Sequence, residues 1–135
     1  MPKLPLPSEE PDGKVVCIDF DGVLHDYTSW NNGKLNGPIP YAPEATKCLA
    51  DDGYLIIIHT TRGAEEVEGF LERHYIFWHL VNENPFSSQM PDPPRNLGKP
   101  RADIYIDDRA IRFDGRWGNT LDDISRFSPW WKRRK

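Results

Sequence analysis

Cysteine is scarce. The 135 residues hold two, Cys17 and Cys48. They lack the paired spacing of a zinc site, and no disulfide is expected between them. Both read as buried thiols, Cys17 in an apolar run and Cys48 on a helix. Histidine is also sparse, at four residues, and His74 and His79 have no ligand-type spacing. No apolar run is long enough to span a bilayer. Met1 to Pro11 is proline-rich and lacks the hydrophobic stretch of a signal segment. A formal charge of −4, from 17 basic and 21 acidic residues, is too mild to define a partner class. A cytoplasmic protein with no membrane partner is the default expectation.

What is present suits one globular domain. Hydrophobic residues make up 38% and charged residues 28%, with 5 Trp, 6 Phe and 5 Tyr, a balance that supports a packed core. The expected organisation is an irregular lead-in over residues 1–13, a single domain over 14–128, and a basic aromatic tail over 129–135. Val15, Val16, Cys17 and Ile18 form a nearly continuous apolar run that ends at Asp19-Phe20. Strands covered on both faces read this way. Residues 25–42, with glycines and prolines, predict a long loop or small hairpin. Pro43 suits the first turn of a helix whose apolar side is Ala45, Cys48 and Leu49. Asp52-Gly53 ends it.

A second strand is expected over Tyr54 to Ile58, ending near Thr60. A helix over about 64–74 follows, with Val67, Phe70, Leu71 and His74 on one stripe. A short strand is expected near Leu80-Val81, then a loop to Pro100. The strand Ile104 to Ile106 ends at Asp107-Asp108. Phe113 to Trp117 predicts a turn with flanking β structure. A final helix is expected over 120–127, capped by Thr120. This alternation predicts an α/β fold with a mostly parallel sheet and helices on both faces. Ligands of such sheets sit outside the carboxyl ends of the strands, where Asp19, Thr60, Asp107 and Asp108 all fall.

Asp19 and Asp21 are two positions apart, so in an extended segment their carboxylates share a side. Like charges held together need an offset. A divalent cation supplies one, and hard oxygen donors favour Mg2+ over zinc. The alternative is that each acidic pair only caps a turn.

The segment Asp19-Phe20-Asp21-Gly22-Val23-Leu24 resembles the first motif of the haloacid dehalogenase-like hydrolase superfamily. Ile57 to Arg62 looks like the second, with Thr60 the better match and Thr61 its competitor. Lys99 fits the third, with Arg101 as a weaker rival, and Ile104-Tyr105-Ile106-Asp107-Asp108 is similar to the fourth. The ordered set spans residues 19–108, and Gly98 to Ala110 resembles small members from bacteria and phages. The resemblance implies a three-layer Rossmann-like fold, here without a large cap domain.

It also implies a Mg2+-dependent phosphatase. Asp19 is the expected nucleophile, forming an aspartyl phosphate, and Asp21 the general acid/base. Thr60 and Lys99 are expected to bind phosphate. Asp19, Asp107, Asp108 and the backbone carbonyl of Asp21 are expected to hold the metal. His25, Trp30 and Arg62 are candidate substrate contacts, and Asn82 and Asn84 candidates for the rim.

The expected substrate is a phosphorylated small molecule. A phosphorylated nucleic-acid end is the secondary candidate, on the strength of the tail Trp130 to Lys135. Two other classes stand beside the enzyme: a phospho-accepting signalling module and a catalytically silent binding protein. The oligomeric state is open.

Overall fold

The computed structural model describes residues 1–28, 32–95 and 98–133. Four strands form an all-parallel sheet: β1 (Val15–Asp19), β2 (Leu55–His59), β3 (Leu80–Val81) and β4 (Ile104–Ile106). Three α-helices among the described residues accompany it: α1 (Ala42–Asp51), α2 (Ala64–Arg73) and α3 (Trp117–Arg126). No helix among the described residues is long and apolar enough to cross a membrane.

The strand order is β3-β2-β1-β4. The chain therefore moves outward from β1 through β2 to β3, then crosses back to β4 on the other side. The order reverses between β1 and β4, which is where a parallel sheet opens a crevice at its carboxyl edge. Register aligns Asp19 with His59, and Ile18 with both Ile58 and Ile106. Asp107 and Asp108 thus leave β4 level with Asp19 and Phe20.

Strand alternation sorts the core. Val16, Ile18, Ile56 and Ile58 pack with Ala42 of α1 and Val67, Phe70 and Leu71 of α2. Val15, Cys17, Leu55 and Ile57 face the other way, against Phe86, Leu80 and Ala102. The expectation of helices on both faces is met on one face by α1 and α2. On the other face the cover is the 3-10 turn Pro85–Gln89 and the chain at Ala102. Ile56, Ile57 and Ile58 are fully buried, and each side chain contributes about 2 kcal/mol by leaving water.

Several local expectations are corrected. The inward side of α1 is Ala42 and Thr46 with Leu49 and Ala50, while Ala45 and Cys48 are exposed. Thr46 tolerates burial because its hydroxyl donates to Ala42 O at 2.9 Å and accepts from Phe77 N–H at 3.0 Å. Helix α3 begins at Trp117, so Thr120 lies inside it rather than at its cap, its hydroxyl bonded back to Arg116 O. No strand flanks Phe113 to Trp117. The lead-in is tied down: Leu4 N–H donates to Trp78 O, and Arg101 pairs with Glu10. The hairpin alternative holds for the loop after His25, where Asp26 N–H donates to Gly37 O and Ile39 N–H to Leu24 O.

Candidate active site

The end of β1 and the end of β4 bring three acids together. One carboxylate oxygen from each of Asp19, Asp107 and Asp108 lies within 4.8 Å of the others. All three are partly buried. Burial, then the negative charges of Asp107, Asp108 and Asp21, push Asp19 up to about 7. Three carboxylates so close are costly without a compensating positive charge.

Gly22 is what permits the approach. It holds φ +83°, and a Cβ there would overlap the carboxylate of Asp108, whose Cγ would lie 2.7 Å away. Asp108 Oδ2 accepts the indole N–H of Trp131 at 2.7 Å. Its Oδ1 is buried and meets no hydrogen-bond donor among the described residues. Asp107 Oδ1 accepts Arg109 N–H at 2.8 Å. An orphaned buried carboxylate oxygen beside two further acids is a donor set that fits a hard divalent cation.

Asp21 stands apart from that trio. Arg62 Nε lies 3.0 and 2.9 Å from its two oxygens, and His25 Nδ1 lies 2.8 Å from Oδ1. Burial pushes Asp21 up, but the His25 hydrogen bond and the Arg62 guanidinium together outweigh it and hold the carboxyl below its usual range. His25 Nε2 accepts Asn36 N–H at 2.8 Å, so the ring proton sits on Nδ1 and is donated to Asp21. The ring stacks on Phe20 and meets Phe70 edge-on.

The expectation of a substrate contact at His25 is therefore corrected. The residue is 2% exposed, and both ring nitrogens are engaged within the chain, Nδ1 with Asp21 and Nε2 with Asn36. Arg62 also meets Asp21, with Glu66 farther off at 3.9 Å. Trp30 lies outside the described residues.

Thr60 is buried just past β2, and Thr61 faces solvent. The Thr60 hydroxyl accepts Arg62 N–H at 3.0 Å, leaving its own proton available to donate. Asn82 holds Thr60 from both sides: its Oδ1 accepts Thr60 N–H and its Nδ2 donates to Thr60 O, each at 2.9 Å. Asn82 adopts φ +60° to do so. Asn84 caps the 3-10 turn through Phe86 N–H.

Lys99 makes no ion pair with the acids among the described residues. Its Nζ lies 4.2 Å from the Tyr105 ring centroid, yet its charge reaches the Cys17 thiol together with those of Asp19 and Asp107. Burial is the main cause that lifts Cys17 to about 11, so this thiol stays protonated. Arg101 is occupied by Glu10.

The C-terminal segment is the element that sequence reasoning left out of the site. Trp130 donates its indole N–H to Gly22 O at 2.7 Å, and Trp131 reaches Asp108. Two tryptophans in an otherwise polar, basic tail were the available signal, since indoles are rarely left in water without a partner.

No family model matches the chain, and no curated protein matches it. A solved structure of a conserved protein from Bacteroides thetaiotaomicron is similar in fold, with 22% identity, a TM-score of 0.54, and 90% of this chain and 97% of that chain covered.

Proposed function

We propose that the chain is a divalent-cation-dependent phosphomonoester hydrolase, a capless, Rossmann-like member of the haloacid dehalogenase-like hydrolase superfamily. The observation that carries the reading is the meeting of Asp19, Asp107 and Asp108 at the point where the strand order reverses. Asp19, Asp107 and Asp108 would hold the ion, and Mg2+ suits an all-oxygen donor set. When bound, such an ion supplies positive charge against acids and phosphoryl oxygens that otherwise repel one another.

Asp19 presents the attacking oxygen. Its carboxylate forms a bond to phosphorus in line with the leaving oxygen, the bond from phosphorus to that oxygen breaks, and an aspartyl phosphate results. Asp21, ionised at rest, takes up the phosphoryl proton of the monoanionic ester and passes it to the leaving oxygen. It then takes a proton from the water that attacks phosphorus, which releases inorganic phosphate and restores Asp19. Arg62 and His25 hold Asp21 in the ionised form that this second half requires. Thr60 donates its hydroxyl proton to a phosphoryl oxygen, fixed in place by Asn82. Lys99 reaches the phosphoryl group by leaving the Tyr105 ring.

A cleft of about 770 Å³, lined in part by Asp26, Thr28, Ile39, Pro40, Trp130 and Trp131, adjoins Asp108 through Trp131. It offers room for the organic part of a small phosphate ester. The exposed Cys48 thiol is compatible with the reducing cytoplasm. The test is phosphate release from a panel of phosphorylated metabolites, nucleotides and end-phosphorylated oligonucleotides, with Mg2+ and with chelator. Release that needs both Mg2+ and Asp19 supports the reading. Inertness of a folded, Mg2+-saturated sample across the panel contradicts it.

A further inference from the structure

We propose that Trp131 is a positioning residue of the metal centre, and that the C-terminal segment is thereby part of the site rather than a solvated tail. The proposal rests on the reading of Asp19, Asp107 and Asp108 as a divalent-cation site. A carboxylate with two free oxygens can rotate, and a ligand that rotates must be ordered at the moment of binding. The indole N–H of Trp131 takes Oδ2 of Asp108 at 2.7 Å. That bond leaves Oδ1, buried and without a donor among the described residues, as the oxygen available to an ion. Partners outside the ligand set orient it in this way.

The indole is itself held. Its ring meets Tyr27 edge-on at 5.5 Å, and the Arg109 guanidinium lies over it at 5.2 Å. Trp130 binds Gly22 O at 2.7 Å, and Pro129 is buried. Adjacent tryptophans thus grip the two sides of one junction: Trp130 takes the loop after Asp19, and Trp131 takes the loop after β4. Gly22 and Asp108 already touch there. The clasp spans more than a hundred residues of sequence, since Trp130 and Gly22 are 108 positions apart.

The substitution Trp131→Phe keeps an aromatic ring and deletes the donor. Mn2+ binding, read from the free-ion electron paramagnetic resonance signal with Mg2+ in competition, measures the effect without turnover. Trp131→Phe should weaken Mn2+ binding by about tenfold or more. Trp117→Phe, at an exposed position of α3, should leave it unchanged. In the wild-type protein, the Trp131 indole N–H resonance should shift when Mg2+ is added and the Trp117 resonance should not. Unchanged Mn2+ affinity in folded Trp131→Phe overturns the proposal. If that variant does not fold, a Trp131 resonance that Mg2+ leaves in place overturns it. Failure of the metal reading looks different: wild type itself binds neither ion, and Asp107→Asn changes nothing.

Discussion

The Nδ1 of His25 sits 2.8 Å from Oδ1 of Asp21, while the Nε2 of the same ring accepts the N–H of Asn36. With Nε2 engaged as an acceptor, Nδ1 is the ring's donor, and it serves as a fixed donor to the carboxylate. Replacing it with Leu keeps the bulk and removes both bonds. His25→Leu should lower kcat by up to about a hundredfold, the scale of a misplaced catalytic group, with little change in KM. Steady-state kinetics on the best substrate of the panel checks this. A rise in KM at constant kcat would instead place His25 on the substrate.

Gly22 offers a sharper steric test. Its φ of +83° disfavours any side chain, and a Cβ would collide with Asp108. Gly22→Ala should cost about 1–2 kcal/mol from backbone strain alone, with more from displacing Asp108. Urea unfolding measures the loss. Mg2+ should stabilise the variant less than wild type, since ligand stabilisation follows affinity for the folded state.

The stability of the sheet should carry a pH signature from His79. Its Nδ1 accepts Ile56 N–H at 2.9 Å, and burial holds its pKa below the ordinary histidine value of 6.5. The unfolded chain thus binds this proton more readily than the folded one. The contribution is complete above pH 6.5 and is lost as pH falls through the lower folded value. Thermal melts from about pH 8 to about pH 5 should show a smaller acid loss in His79→Gln than in wild type. Equal losses would contradict the assignment.

How much was legible in the sequence depends on whether the signal was local. The strands around Cys17 and Ile57 were plain, because buried parallel strands are apolar along their whole length. Asp19, Asp107 and Asp108 could be placed together because each stands at the carboxyl end of an apolar run, buried in β1 and exposed in β4, and the sheet edge gathers strand ends. The inward side of α1 was misread because Thr46 is polar, and only its bonds to Ala42 and Phe77 explain its burial. The start of α3 was missed because Trp117-Gly118-Asn119 carries no helix-start signal, and Arg116 caps it without a side-chain bond. The role of His25 depends on Asn36 across a loop. The grip of Trp131 on Asp108 joins segments that no periodicity connects.

In the proposed mechanism Asp19 is phosphorylated and then freed by water. Rapid acid quench during turnover, followed by borohydride reduction and peptide mass spectrometry, reads this directly. An acyl phosphate at residue 19 is reduced to homoserine, and with an aryl ester whose leaving group needs no acid, Asp21→Asn should accumulate it by slowing the attack of water. Homoserine at position 19, dependent on substrate and on Mg2+, is the predicted result. Turnover near the wild-type rate in Asp19→Asn, or a phosphoryl group trapped on another residue, would contradict it.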